Sequence, residues 1–71
     1  MHPELKELGF SDNEIKIYLT ILKSHGMIVA RINELTGIPR PTIYDTLNSL
    51  IEKGIRLPFD LFLAWYHKLY L

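Results

Sequence analysis

The short segment of residues 37–41 constrains the fold of this 71-residue chain more than any other feature. Gly37 is typical of the residue that follows a helix. A proline disfavours helical geometry in the residue before it, which predicts non-helical backbone at Ile38 and Arg40. Pro41 suits the first position of a helix, because its missing N–H needs no partner there. The segment therefore predicts a tight connection between two helices.

The blocks on both sides of this connection have helical patterns. One helix is predicted over about residues 29–36, and the pair Met27-Ile28 before it could form a short strand. The other is predicted over residues 41–53 and ends before Gly54. Apolar residues recur along it at i, i+4, i+7 and i+8, which gives a helix one buried side: Ile43, Leu47, Leu50 and Ile51. A helix, a short glycine-containing turn and an amphipathic helix form the helix-turn-helix pattern.

Two further helices are predicted before this pair. Pro3 begins a short helix over residues 3–8. Ser11 and Glu14 have the spacing of a capping box, in which each side chain accepts a hydrogen bond from the backbone N–H of the other residue. The helix that follows ends near Gly26. We expect its buried side to consist of the apolar residues at helical spacing: Ile15, Tyr18, Leu19 and Leu22.

The sequence over about residues 4–54 resembles the TrmB-like archaeal transcriptional regulators. The most specific part of the resemblance is the run Gly37-Ile38-Pro39-Arg40-Pro41-Thr42-Ile43-Tyr44. It is supported by Leu5-Lys6-Glu7-Leu8-Gly9-Phe10-Ser11, by Glu14-Ile15-Lys16-Ile17-Tyr18-Leu19-Thr20 and by Leu50-Ile51-Glu52-Lys53-Gly54. The resemblance implies a winged-helix DNA-binding domain in which the helix after Pro41 is the recognition helix.

The sequence departs from this family after Gly54. The family pattern has a two-stranded wing here, whereas residues 55–71 contain no Gly or Asn and one plausible turn, at Pro58. A helix over residues 59–71 would place most apolar side chains in one wide arc: Phe59, Phe62, Leu63, Trp65, Tyr66, Leu69 and Tyr70. We expect a mainly α fold of the winged-helix class whose wing is degenerate or replaced by this C-terminal amphipathic helix. A short hairpin around Pro58 is the alternative.

The expected organisation is a helix-turn-helix DNA-binding domain over residues 1–54 and a packing or dimerisation element over residues 55–71. So short a chain has a small margin of stability, and it has no cysteine for disulfide bonds. We expect the aromatic arc to pair with its copy, so that a homodimer presents two recognition helices. A membrane-surface helix is disfavoured, since its polar side has little Lys or Arg. A truncated or frame-shifted reading frame would also produce such a tail.

Recognition helices contact base edges with side chains near their N-terminal end. Arg40 can donate to guanine or to a phosphate, and Asp45 can accept from cytosine. The predicted DNA contacts are Arg40, Pro41, Thr42, Tyr44, Asp45, Asn48, Ser49, Arg31 and Lys53. Simpler roles stay open for several of them: helix capping for Thr42 and Asp45, partial burial for Tyr44, and solvated surface charge for Arg31 and Lys53.

Charge and motif content limit the function classes. The chain has eight Lys and Arg and eight Asp and Glu, so one copy should bind duplex DNA weakly. No phosphate-binding loop, catalytic spacing or metal-ligand motif is present in the sequence, and no apolar run is long enough to span a membrane. We therefore expect no enzyme, no cofactor and no metal, a cytoplasmic location, and no room for the effector-binding domain of longer family members.

The predicted function is that of a sequence-specific transcriptional regulator whose partner is double-stranded DNA. It would insert the helix over residues 41–53 into the major groove as a homodimer. The alternative is a protein-interaction module, a winged-helix relic or truncated regulator, that lacks significant DNA affinity.

Overall fold

The structure, a computed structural model, describes residues 3–23 and 28–70. Over these residues the chain is helical and contains no strand. The helices in chain order are α1 (Pro3–Glu7), α2 (Asp12–Lys23), α3 (Val29–Thr36), α4 (Arg40–Glu52) and α5 (Phe59–Tyr70). The expectation of a mainly α helix-turn-helix fold is confirmed. Ile28 is not in a strand, while Met27 and the predicted end of α2 near Gly26 lie outside the described residues.

The capping box at the start of α2 is confirmed. The Ser11 N–H donates to Glu14 Oε1 at 2.7 Å, and the Glu14 N–H donates to Ser11 Oγ at 3.1 Å. The expected buried side of α2 is partly wrong, because Leu22 is 60% exposed while Ile17 and Ile21 are buried. The helix packs against α1, α3 and α4, so its buried side is set by three neighbours rather than by one apolar stripe.

The turn between α3 and α4 is held by short hydrogen bonds. Gly37 has a φ of 74°, the left-handed conformation that glycine adopts without a steric penalty, and its N–H donates to the Asn33 carbonyl at 2.8 Å. Asn33 Nδ2 donates to the Ile38 carbonyl at 2.7 Å, and the Ile38 N–H donates to Thr36 Oγ1 at 3.1 Å. With Ile38 buried in the core, these bonds fix the angle at which α4 leaves the turn.

The first residue of α4 corrects one expectation. Arg40 is helical rather than extended, and Pro39, with a ψ of 145°, takes the cap position before it. Helical backbone before a proline has a steric cost. At Arg40 this cost is smaller than the stabilisation from the hydrogen bonds of the turn and the packing of α4. Pro41 falls in the first turn, where a missing N–H costs no hydrogen bond.

The core lies between α2, α3 and α4 and is closed by α5. Among the residues that the structure describes, the largest side chains with no measurable exposure are Ile17, Ile32, Ile43, Leu47, Leu50 and Leu61. Ile51, expected on the buried side of α4, is half-buried against this cluster, and Thr46 is buried instead. Buried apolar surface of this kind contributes about 25 cal/mol per Å², so α5 adds directly to the stability of the helix-turn-helix.

α5 is helical as expected, but a different side of it is buried. Leu61 and Trp65 enter the core, and Leu61 does not belong to the predicted apolar arc. The rest of that arc is exposed: Phe59, Phe62, Leu63, Tyr66, Leu69 and Tyr70. The apolar arc is wider than the surface that the other helices offer. Only Leu61 and Trp65 of α5 are therefore buried in the core, and the rest of the arc is exposed to solvent.

Candidate nucleic-acid interface

The helix α4 has an outer side that faces solvent and two flanks that face α2 and α5. Pro41, Asp45, Asn48 and Glu52 follow one another on the outer side at helical spacing, and Pro41, Asp45 and Glu52 are exposed. Asn48 Nδ2 donates to Glu52 Oε1 at 3.3 Å. The outer side therefore presents amide and carboxylate groups, and its basic group, Arg40, lies at its N-terminal end.

The flank of α4 that faces α2 contains two of the predicted DNA contacts, Ser49 and Lys53. Ser49 Oγ donates to Glu14 Oε2 at 2.8 Å. Lys53 Nζ donates to both Glu14 carboxylate oxygens, at 2.6 Å and 2.9 Å, and to the Gly9 carbonyl at 2.9 Å. The polar atoms of Ser49 and Lys53 are thus occupied in holding α4 against α2. We call Ser11, Glu14, Ser49 and Lys53 the Glu14 cluster.

Electrostatics favour the charged form of Glu14 although its side chain is only 5% exposed. Burial by itself raises the pKa of this carboxyl, but the donors from Lys53, the Ser11 backbone and Ser49 lower it, and the resulting pKa is about 2. The cluster therefore holds a buried carboxylate and an ammonium group at neutral pH. Sequence analysis identified only the capping part of this arrangement, since Ser49 and Lys53 are distant in the chain.

The flank of α4 that faces α5 borders a groove of about 440 Å³. Its lining side chains come from the first turns of α4 and the last turn of α5: Arg40, Pro41, Tyr44, Asp45, Lys68 and Leu69. We call it the α4/α5 groove. Lys68 Nζ lies 5.9 Å from the centroid of the Tyr44 ring, within the range of a cation–π contact. Tyr44 is half-buried, as one of the open alternatives had it.

The two remaining predicted contacts lie apart from the groove. Arg31, on α3, makes an exposed ion pair with Glu34 at 3.1 Å. Thr42 is half-buried in α4, and its carbonyl accepts a hydrogen bond from Thr46 Oγ1 at 2.7 Å. No side-chain hydrogen bond caps α4 at Pro39, so the N-terminal end of this helix keeps backbone groups that an external acceptor can bind.

Lys68 is the basic residue at this surface that sequence analysis missed. It follows Leu61 and Trp65 at i+7 and i+3, so the spacing of three and four residues could have placed it on the buried side of α5. The helical projection that collects the wide aromatic arc on one side of α5 places Lys68 on the opposite, polar side.

No helix within residues 3–23 and 28–70 is long and apolar enough to cross a membrane. No group of three or more His, Asp or Glu side chains in the described ranges is placed to hold a metal ion.

The tight turn between α3 and α4, the exposed outer side of α4 and the core packed between α2, α3 and α4 define a helix-turn-helix domain. Residues 5–55 match the family model of the sugar-specific transcriptional regulator TrmB. This match covers well over half of the sequence, and the chain belongs to the TrmB family. The family is one of transcriptional regulators rather than enzymes.

The chain is also similar to the uncharacterized protein YrhO of Bacillus subtilis (strain 168). The two are 36% identical over 50 residues, which is 70% of this chain and 18% of YrhO. The chain thus spans less than a fifth of the length of this curated relative. No solved structure matches this chain significantly.

Proposed function

We propose that this chain is a DNA-binding transcriptional regulator that inserts the N-terminal half of α4 into the major groove. The observation that carries the proposal is the match to a regulator family over the whole helix-turn-helix, combined with the exposure of the first turns of α4. In a helix-turn-helix protein these turns contact base edges. A sequence-specific function follows if the exposed side chains discriminate between bases.

Three side chains carry the proposed base and phosphate contacts. Arg40 is exposed at the start of α4 and can donate to guanine or to a phosphate. Asp45 and Asn48 lie on the outer side, where a carboxylate can accept from cytosine and an amide can pair with adenine. Thr42, Tyr44 and Pro41 border them and complete the contact surface. Arg31 contributes a weaker phosphate contact from α3.

Ser49 and Lys53 have an indirect role in this proposal. Their polar atoms bind the Glu14 carboxylate, so their effect on DNA is to fix the position of α4 relative to α2. A substitution there should lower stability before it lowers intrinsic DNA affinity.

We further propose a homodimer that forms through the exposed aromatic side of α5. This side consists of Phe59, Phe62, Leu63, Tyr66, Leu69 and Tyr70, and Phe59 is 72% and Tyr70 65% exposed. Trp65 is buried in the core, and its ring lies next to the Phe62 ring of this side. Contiguous apolar surface on a small domain is typical of a protein interface. Pairing two chains of zero formal net charge would double the phosphate contacts on one DNA and raise the affinity.

A titration of labelled mixed-sequence duplex at low salt tests the DNA-binding proposal. The wild type should bind, and Arg40→Ala should raise the dissociation constant roughly tenfold, the loss typical of one good arginine contact. Lys16→Ala is the matched control, because Lys16 is an exposed basic residue of α2 and should leave the dissociation constant unchanged. Equal dissociation constants for Arg40→Ala and the wild type would refute the role of α4.

The second candidate function is a protein-interaction module without DNA affinity. Its supporting observations are that the outer side of α4 has two exposed carboxylates, Asp45 and Glu52, and that α5 exposes a large apolar side. Association of the chain with itself or a partner, together with no duplex binding at low salt, would favour this function.

A further inference from the structure

We propose that Lys68, in the last turn of α5, binds a DNA backbone phosphate beside the N-terminal end of α4. This inference rests on the proposed DNA binding and assigns to α5 a part of the same interface. The juxtaposition that carries it is the α4/α5 groove, in which the exposed Arg40 and Lys68 come from two different helices.

The packing of α5 determines where Lys68 lies. Leu61, Trp65 and Lys68 follow one another at spacings of four and three residues, so they form one stripe along α5. Leu61 is fully buried and Trp65 is 6% exposed, which fixes the axis of α5 against the core. Lys68 is the next member of this stripe, and its Nζ reaches 5.9 Å from the Tyr44 ring centroid. Because Leu61 and Trp65 pack in the core, the Lys68 ammonium group lies beside the first turns of α4.

What distinguishes Arg40 and Lys68 is that they share one groove, since Lys16, Lys23 and Arg56 also have no ion pair within residues 3–23 and 28–70. The ion pairs within residues 3–23 and 28–70 are Lys6–Asp12, Arg31–Glu34 and Lys53–Glu14. In those same ranges Arg40 and Lys68 have no carboxylate within 4.0 Å, although Asp45 also lines the groove. The groove therefore combines two cationic side chains with one carboxylate, and no carboxylate of the described residues forms an ion pair with either cation.

The chemistry of the groove fits a phosphate on DNA. Lysine binds phosphate as a compact point charge, and arginine binds it through a planar fork. The positive end of the α4 dipole points to the same place, because the groove surrounds the first turns of that helix. Phosphate contacts at the edge of a recognition helix fix its register in the major groove. Lys68 would thus hold α4 in position while the outer side of α4 contacts the bases.

The salt dependence of duplex binding tests the proposal. Lys68→Gln should raise the dissociation constant about threefold to tenfold, and it should reduce the slope of log K against log salt by about 1 per protomer. Lys68→Arg keeps the charge and should retain the wild-type slope. Lys16→Gln removes an equal charge from an exposed position on α2 and should change neither quantity.

Each other outcome has a distinct meaning. If the wild type binds and Lys68→Gln keeps its dissociation constant and slope, the inference is overturned while the proposed function stands. If Lys68→Gln loses affinity with an unchanged slope, Lys68 acts through the packing of α5, and the phosphate contact is likewise refuted. If the wild type binds no duplex at low salt, the proposed function fails first, and the inference fails with it.

Discussion

Glu14 has two roles at the start of α2. One is confined to the first turn of α2, and the other connects α2 to α4. Its backbone and side chain complete the capping box with Ser11, and its carboxylate binds Ser49 and Lys53 at the end of α4. Removing one partner of a buried ion pair leaves an uncompensated charge and is costly. The exposed part of Lys53 moderates this cost through solvent screening.

Glu14→Gln should destabilise the fold by roughly 2–3 kcal/mol at pH 7. The difference between a pKa of about 2 and the ordinary 4.5 corresponds to about 3.5 kcal/mol at about 1.4 kcal/mol per pKa unit. Solvent screening at the partly exposed Lys53 lowers this figure. The folded-state pKa, about 2, lies below the ordinary value of 4.5. The stability that this carboxylate contributes is therefore fully present above about pH 4.5 and is lost as the pH falls through 2. Urea unfolding monitored by circular dichroism at several pH values measures the difference.

Asp12→Asn is the control for this prediction. Asp12 is an exposed acidic residue of the same first turn and pairs with Lys6 at the surface, so its loss should cost about 0.5 kcal/mol or less. A difference between Glu14→Gln and the wild type that stays constant from neutral pH to pH 2.5 would contradict the assignment.

The same residue shows what sequence alone could predict. Ser11 and Glu14 are three residues apart, so the capping box follows from local geometry and is confirmed. Ser49 and Lys53 meet Glu14 across 35 and 39 residues. That contact depends on how α2 and α4 cross, which the turn at residues 37–39 and the core packing determine. The exposed candidates for DNA contact, such as Arg40, remain predictions.

At the scale of elements, α5 shows that the apolar periodicity of a segment predicts its helical state, whereas packing determines which side of the helix is buried. Its helical state was predictable from its apolar pattern, but its buried side was not. Leu61 lies outside the aromatic arc and is fully buried, whereas Phe59 and Tyr70 within the arc are exposed. The most apolar side of a helix faces the core only where the core has room for it. Here the space beside α4 accepts Leu61 and Trp65.

Leu61→Ala should release α5 from the core. Truncating a fully buried leucine costs about 2–5 kcal/mol, and the loss should weaken the docking of the whole helix. Trp65 is the single tryptophan and is 6% exposed, so its emission should shift to longer wavelength as α5 detaches. Steady-state fluorescence and urea unfolding measure both effects.

Leu22→Ala is the comparison for this prediction, since Leu22 is 60% exposed on α2. Its stability change should stay within about 0.5 kcal/mol, and the tryptophan emission should not move. An unshifted emission in Leu61→Ala would show that α5 does not depend on this contact.

At the scale of the whole molecule, the exposed aromatic side of α5 determines whether one copy acts alone. The two sides of α5 serve different proposed roles: Leu61 and Trp65 are buried in the core and Lys68 lies near Tyr44 of α4, while the aromatic side is exposed and meets the α4/α5 groove at Leu69. The aromatic rings on that side already contact one another, with Tyr66 and Tyr70 centroids 4.8 Å apart. In the proposed dimer, Leu69 lies at the border between the dimer contact and the α4/α5 groove, while Arg40 and Lys68 stay open to DNA.

Analytical ultracentrifugation should therefore detect a dimer that dissociates on dilution. The double substitution Phe59→Ser and Tyr70→Ser removes two exposed rings and should shift the equilibrium to monomer, since burial of apolar surface drives such association. Leu8→Ser and Leu22→Ser together remove exposed apolar side chains elsewhere and should not shift it. A wild-type monomer at high micromolar concentration would contradict the dimer.

The central claim is that duplex DNA lies on the first turns of α4, and amide chemical shifts in an NMR titration test it most directly. A chain of 8.3 kDa suits this measurement. With increasing duplex at low salt, the largest shift changes should occur in residues 40–48 and in the last turn of α5 around Lys68. The amides of α2 between Ile15 and Leu22 should change little. No shift changes, or changes confined to the exposed aromatic side of α5, would contradict the account.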